Sequence, residues 1–254
     1  MNLNNHALVF AHYHQAGKLR TDTIHFINAC RGLFERIIFI STNLSDADKH
    51  FLPDFVEWHV RDNVGYDFFS YRLGLEFLLR DIKKIDGLTL MNSSCLIYEP
   101  TKFIKNYFHS GLNGVSGDFF GLTMHAPVAG VYPHLQSYLL SFSAKILQDS
   151  RFISWWTQLS LLNDKNLIIE NYEIGLSKFL DELGYIKNPI YLPLAPTRIA
   201  DPMHGNYREI FNKFSILKIG LLKHNPFRLN LRDIVSQAEQ DELFKMMITE
   251  GLDN

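Results

Sequence analysis

At 254 residues and 29.5 kDa, the chain is long enough for one large domain or at most two. Hydrophobic residues make up 46% and charged residues 20%, which predicts a sizeable core and excludes intrinsic disorder. The 25 basic residues are outnumbered by 27 acidic ones, so no excess of positive charge exists to hold a phosphate backbone, and nucleic acid is excluded as a partner.

Aromatic residues reach 13%, with 20 Phe and 11 Tyr, enough for a core plus a ring-lined cleft. Two cysteines, Cys30 and Cys95, make neither a disulfide scaffold nor a zinc pattern. The start, Met1 to His6, lacks a basic region followed by an apolar stretch, so no signal peptide is expected. The most apolar segments, 36–41 and 137–147, fall far short of the roughly 20 residues that span a bilayer. A cytoplasmic protein is expected, with peripheral contact at the cytoplasmic face of the inner membrane as a further option.

In chain order, Ala7–Tyr13 reads as a buried strand and Thr21–Phe34 as a helix capped by Thr21 or Asp22. Arg36–Ser41 and Val56–Arg61 read as strands, Tyr66–Lys84 as a helix through Phe69, Leu73 and Phe77, and Gly87–Met91 as a fourth strand. Strands separated by helices of this length favour a parallel sheet with crossover helices, and ligands then sit beyond the carboxyl ends of the strands. The polar clusters His12–His14, Ser41–Asn43, Arg61–Asp67 and Asn92–Ser94 all follow strands. Further on, Gly117–Met124 and Gln136–Phe142 read as strands flanking a loop, His125–Pro133. Arg151–Leu162 and Asn171–Leu183 read as helices, the second capped by Gly184. Three prolines exclude a regular element over Asn188–Pro196, and helices are expected at Asn206–Lys223 and Leu231–Glu250. One unit over 1–200 with a helical extension, 201–254, packed on it is the simplest organisation.

Several of these clusters carry chemistry. In Asn63-Val64-Gly65-Tyr66-Asp67, Gly65 permits positive φ or close backbone approach at a helix start suited to a phosphate; the plain alternative is a loop capped by Asp67. Asn92 and Ser94 could bond sugar hydroxyls or simply form a strand-end turn. No Asp-x-Asp stands there, and a hard divalent cation bridging a diphosphate wants carboxylate oxygen. His12 and His14 share a side if the strand continues, a spacing that chelates metal only with a third ligand; stacking or hydrogen bonding near a ligand is the other reading. Asp118, among aromatics and glycines, is either a structural acid or a general base. His134, Gln136 and Tyr138 would share one strand face able to read hydroxyls. Glu173, in the first turn of a helix, either offsets the macrodipole or acts as base. The chain has no Gly-x-Ser-x-Gly elbow, no Gly-x-x-x-x-Gly-Lys-[Ser/Thr] loop and no Gly-x-Gly-x-x-Gly fingerprint.

Taken together, Val9-Phe10-Ala11-His12-Tyr13, Arg36-Ile-Ile-Phe-Ile-Ser-Thr-Asn43, Arg61-Asp-Asn-Val-Gly-Tyr-Asp67 and Leu90-Met-Asn-Ser-Ser94 resemble the rhamnan-synthesis protein F family. Asp118 to Thr123, His134 to Tyr138, Tyr172 to Ser177, Asp201 to His204 and Leu217 to Pro226 follow in the family's order. The resemblance implies a bacterial glycosyltransferase that builds cell-surface polysaccharide such as O-antigen, capsule or rhamnan. The implied fold is α/β and GT-A-like, a Rossmann-type, mainly parallel sheet with flanking helices and a helical C-terminal extension. The implied donor is a nucleotide sugar, dTDP-rhamnose or a UDP-hexose, bound by the unit over 1–200, and the acceptor a lipid-linked or polysaccharide chain. Family members commonly carry Asn-Asp-Ser where this chain has Asn92-Ser93-Ser94, which weakens the case for Mg²⁺ or Mn²⁺ as cofactor.

On this resemblance Glu173 or Asp118 is the base, with Glu173 preferred. His12, Tyr13, Asn43, Arg61, Asn63, Gly65, Asp67, Arg72, Asn92 and Ser94 attend the donor, and His134, Gln136 and Tyr138 the acceptor or sugar. If no metal meets the leaving group's charge, the amides near Gly65 and the side chains of Arg61, Arg72 and His134 are the candidates. Two other classes compete: a non-catalytic nucleotide-sugar or glycan-binding module, and an assembly subunit. The second would use the basic bias of Lys213, Lys218, Lys223, Arg228 and Arg232 toward anionic lipid or a lipid-diphosphate acceptor.

Overall fold

The computed structural model describes residues 5–128, 130–194 and 198–253. Its strands are β1 (His6–His12), β2 (Arg36–Ser41), β3 (Val56–Val60), β4 (Gly87–Asn92), β5 (Cys95–Ile97), β6 (Phe119–Gly121), β7 (Met124–His125), β8 (His134–Leu135), β9 (Leu139–Ser143), β10 (Lys187–Pro189) and β11 (Ile216–Lys218). Among the described residues, seven of them form one sheet in the order β10-β6-β9-β4-β1-β2-β3. Only β9 runs against its neighbours; β4, β1, β2 and β3 are mutually parallel, as are β6 and β10.

Alternation along the central strands explains the layers. Leu8, Phe10, Ile37 and Phe39 face one core with Phe26 and Ile27 of helix α1 (Thr21–Ala29). Ala7, Val9, Ala11, Ile38 and Ile40 face a second core with Phe68, Tyr71 and Leu75 of helix α2 (Tyr66–Leu78). Every residue of β1 is buried, as a parallel strand covered on both faces requires. A Cβ on Gly74 would meet Val9 Cγ1 at 2.3 Å, so glycine lets α2 seat directly on β1. The result is a mixed α/β sandwich built on a Rossmann-type, mainly parallel sheet.

The strand order reverses beside β1: β2 and β3 lie on one side, and β4 on the other. The register aligns Ala11 with Asn92 and His12 with Ser41, so the carboxyl ends of three strands share one edge. Because β9 is antiparallel, its start, Leu139 opposite Met91, reaches the same edge and carries residues 136–138 with it.

Several elements differ from the sequence expectation. Helix α1 ends at Ala29, and its cap is neither Thr21 nor Asp22. Glu250, from the last helix, accepts from the backbone N–H of Thr21 at 2.6 Å and from its hydroxyl at 2.9 Å. The expected strand over 136–142 is broken, with β8 ending at Leu135 and β9 starting at Leu139. The segment 117–124 keeps strand geometry only at Phe119–Gly121 and, beyond Thr123, in β7. Within 188–196, Lys187–Pro189 does form a short edge strand, where a proline costs no ladder bond; residues 195 and 196 lie outside the described residues. Helix α2 stops at Leu78 rather than Lys84. The helix expected over 206–223 is interrupted where Ser215 turns left-handed at φ 52°. The chain then forms β11, antiparallel to β5, before the helix Ile219–His224. That interruption shapes the site.

Candidate functional site

A cleft of about 1050 Å³ opens over the shared strand edge, at the top of the range for small-molecule sites, roughly 300–1,000 Å³. It lies where the strand order reverses, the position at which open α/β sheets bind ligands. Tyr13, Asn63, Gly65, Asp67, Asn92, Ser94, Gln136, Tyr138 and Glu173 all line it.

Its floor is a continuous hydrogen-bond chain. Asn92 Nδ2 donates to Asp67 Oδ2 at 2.7 Å, and Asn92 Oδ1 accepts from the Ser94 N–H at 3.0 Å and the Ser94 hydroxyl at 2.5 Å. Ser94 Oγ in turn accepts from Lys218 Nζ at 3.0 Å. A carboxylate thus terminates one end and an ammonium the other, and each bond polarises the next. Burial pushes the Asp67 carboxyl up to about 6, against the opposing pull of Lys218, Arg61 and Asn92.

The chain turn under this floor is held from behind. Ser93 Oγ accepts from the Tyr13 N–H at 3.0 Å and donates to the Tyr13 carbonyl at 3.1 Å, stitching β4 to β1. The guanidinium of Arg20 donates to the carbonyls of Ser93 and Cys95 at 2.8 and 2.9 Å and pairs with Asp22 at 2.8 Å. Both side chains of that ion pair are buried, at 1% and 2% exposure.

On the opposite wall, Glu173 sits in a π-helical turn, Ile169–Ile174, between the helices Lys165–Ile168 and Gly175–Glu182. Such turns re-aim one side chain within a helix. Glu173 Oε2 accepts from the Ser137 N–H at 2.8 Å and from the Ser137 hydroxyl, and His134 Nε2 stands 3.5 Å from Oε1. Burial would raise this carboxyl, but the bonds from His134 and Ser137 outweigh it and hold Glu173 below the ordinary carboxylate range. For His134 the same contest runs the other way. Burial lowers it, while Glu173 and the Tyr132 carbonyl, 2.8 Å from Nδ1, raise it above an ordinary imidazole. Tyr71 OH donates to the Ser137 carbonyl at 2.9 Å and fixes this segment against α2.

Other expected site residues are drawn elsewhere. His12 is buried under the edge, bonded to Ser41 Oγ at 2.9 Å and the Lys18 carbonyl at 3.1 Å and stacked on Phe39. His14 accepts from the Ala16 N–H at 3.1 Å, so the two histidines do not converge. Asn43 ties the His14 and Gln15 carbonyls, and Thr42 reaches the cleft instead. Arg61 is spent on Ser70 Oγ at 2.9 Å and on the carbonyls of Asp62, Val64 and Tyr66, bracing the 61–67 loop rather than facing the cleft. Arg72 pairs with Glu76 at 2.9 Å and with the Leu159 carbonyl at 3.0 Å on the outer side of α2. His134 stacks on His125 and stands behind Glu173. The Gln136 amide and the Tyr138 phenol are joined through Thr123 Oγ1 at 2.6 and 2.7 Å, so they meet there rather than along a strand face.

Asp118 requires the clearest correction. It precedes β6 at the amino edge of the parallel strands, opposite the cleft. There it binds Lys145 at 2.9 and 3.0 Å and the Ile186 N–H at 2.9 Å.

Residues that the sequence reading did not place in the cleft include Lys218, Lys223, His224 and Asp201. The pairing of β11 with β5 sets Lys218 opposite Cys95 and next to Ser94. The two lysines were visible in the sequence, but as the basic face of a long helix; the break at Ser215 turns them inward. Burial opposes ionisation of Asp201, yet His204, Lys218 and the Met203 N–H hold it low.

The protein alone offers a divalent cation no complete set of ligands. Among the described residues no group of three or more His, Cys, Asp and Glu side chains could hold a metal. Three carboxylates line the cleft, Asp67, Glu173 and Asp201, and each is engaged by protein donors; a Mg²⁺ ion held among them would draw most of its oxygens from a ligand's phosphates and water. Among the described residues no helix is long and apolar enough to cross a membrane.

Comparison with known proteins gives the chain relatives. It is 28% identical over 161 residues to the uncharacterized protein y4gN of Sinorhizobium fredii, covering 62% of this chain and 41% of that one. It is 27% identical over 199 residues to the virulence protein VirA of Vibrio anguillarum, covering 65% of this chain and 62% of that one. The chain therefore spans less than two thirds of the length of these relatives. A solved structure, mannose-1-phosphate geranyltransferase from Thermus thermophilus, superposes with a TM-score of 0.43 at 10% identity, covering 73% of this chain and 69% of that one. The family model for rhamnan synthesis protein F matches residues 37–239. That span holds all but the first residue of β2, the strands from β3 to β11 and the cleft walls from Thr42 to His224, so the chain belongs to the rhamnan synthesis protein F family.

Proposed function

We propose that this protein is a glycosyltransferase that moves a sugar from a nucleotide-sugar donor, dTDP-rhamnose or a UDP-hexose, to a lipid-linked or growing cell-surface polysaccharide. The observation that carries the reading is Glu173, which lines a cleft at the strand-order reversal and is held there by Ser137 and His134. The family's name points to polysaccharide synthesis. A transferase of this kind must hold a diphosphate, expose the anomeric carbon, and remove a proton from the attacking hydroxyl.

In this arrangement Asn63, Asp67 and Asn92 hold donor groups, and the ring of Tyr13, 41% exposed, offers a stacking face at the end of β1. Glu173 takes the acceptor proton. Ser137 fixes its orientation, and His134, biased toward the cation, keeps it ionised at neutral pH. Gln136 and Tyr138, locked through Thr123, present polar groups to the sugar or acceptor. The reaction takes place at the cytoplasmic face of the inner membrane, with the protein in peripheral contact.

The test is Glu173→Gln. It preserves shape and the Ser137 bonds but cannot accept the proton. Nucleoside-diphosphate release from the active donor should fall about 10²- to 10⁴-fold, the usual worth of a positioned base, while donor affinity stays within about threefold. Full turnover by Glu173→Gln would remove it from the role.

A further inference from the structure

We infer that Lys218 and Lys223 bind the donor's diphosphate and neutralise the leaving group, the task that an absent Asp-x-Asp metal site would otherwise perform. This deepens the glycosyltransferase reading and rests on it.

The argument begins with elimination. The cations expected to meet the diphosphate, Arg61, Arg72 and His134, are committed to the 61–67 loop, to Glu76 and to Glu173. The donor set offers no divalent cation a cage. Among the side chains lining the cleft the permanent positive charges are lysines, which stand alongside the backbone amides near Gly65 at the start of α2. Lys49, Lys84, Lys102, Lys145, Lys187 and Lys245 each pair with a carboxylate. Lys218 and Lys223, both half-buried, have no carboxylate within ion-pair distance among the described residues, although both line the cleft. Lys165 also reaches it, but from an exposed position on the far wall.

Lys218 is held in place without a direct ion pair, with Asp67 and Asp201 acting on it only at longer range. Its ammonium donates to Ser94 Oγ and lies 4.6 Å from the centroid of the Tyr138 ring. Two of its three protons remain for a ligand, and both fixed partners are uncharged. Ile219 N–H donates to the Ser94 carbonyl at 3.0 Å, which anchors the strand-to-helix turn between the two lysines. Lys223 then projects into the same cleft from the helix Ile219–His224. Two unpaired ammonium groups beside the hydroxyl and amide chain of Ser94 and Asn92 suit phosphoryl oxygens, with which lysine forms strong charge-assisted bonds.

The chemistry balances. The bond between the anomeric carbon and the diphosphate oxygen breaks, and its electron pair leaves on the diphosphate, where Lys218 and Lys223 meet the new charge. The acceptor oxygen bonds the same carbon, and its proton passes to Glu173. No oxidant or further reactant is needed.

The test is calorimetric titration of the full chain with UDP and with dTDP, first in EDTA and then in Mg²⁺ and Mn²⁺. The expected result is binding of at least one in EDTA, within about threefold of its affinity with metal. Lys218→Met and Lys223→Met should each weaken that binding about tenfold or more, while circular dichroism shows both variants folded at the temperature of the titration. Lys218→Arg, which keeps the charge, should stay within about threefold. Binding that appears only with metal, or Met variants with undiminished affinity, would overturn the lysine assignment and leave the glycosyltransferase reading standing. Failure of both nucleotides to bind under every condition would overturn both.

Discussion

Arg20→Met tests how the turn from Asn92 to Cys95 is built. Arg20 lies buried with Asp22 and donates to the carbonyls of Ser93 and Cys95 on either side of Ser94. Its removal leaves the Asp22 carboxylate buried with, among the described residues, the Ile97 N–H at 3.2 Å as its remaining partner. Breaking one side of such a buried pair costs about 3–5 kcal/mol. The two orphaned carbonyls add roughly 1 kcal/mol each, for a total of about 5–7 kcal/mol. That is comparable with the whole stability of an ordinary domain, about 5–15 kcal/mol. Urea denaturation of wild type, Arg20→Met, Asp22→Leu and the double variant measures it. The double variant removes the stranded charge, so it should be more stable than Arg20→Met alone. A loss below about 1 kcal/mol for Arg20→Met, or a double variant weaker than the single one, would refute this account of the turn.

Two further predictions separate the acids. Asp118→Asn should cost about 1 kcal/mol, since its main partner Lys145 is 64% exposed, and turnover should stay within about twofold; a hundredfold loss of turnover would return Asp118 to the chemistry. Burial raises the Asp67 carboxyl from 3.8 to about 6, so the folded state binds the extra proton. Stability should therefore decline as pH rises from 3.8 to about 6. Over the upper part of that window the cleft gains a negative charge, and affinity for an anionic nucleotide sugar should fall. Asp67→Asn should flatten both trends, and an unchanged pH profile in that variant would show that another group titrates.

Much of the parallel half was legible because its strands are buried on both faces and read as continuous apolar runs, as in β1 and β2. The strand-end rule then brought the 63–67 loop, Asn92 and Ser94 to one place. The failures share a cause, which is that side-chain partners distant in sequence decide where a polar group points. Nothing near Arg61 announces that its guanidinium will collect three carbonyls of its own loop, and nothing near Asp118 shows that β6 presents it at the wrong edge. Ser215 hides a helix break inside a helical pattern, because its left-handed turn is stabilised by pairing of Ile216–Lys218 with Cys95–Ile97. The clue available was chemical: Lys218 and Lys223 are the charges in an otherwise apolar run from Leu217.

The most direct test of the central claim is a thermal-shift panel of nucleotide sugars and nucleoside diphosphates on the unmodified protein. Ligands that bind the folded state raise its melting temperature by mass action. The account predicts a clear rise with at least one dTDP- or UDP-linked sugar, without added metal. No rise with any member of the panel, in EDTA or with Mg²⁺ or Mn²⁺, would contradict it.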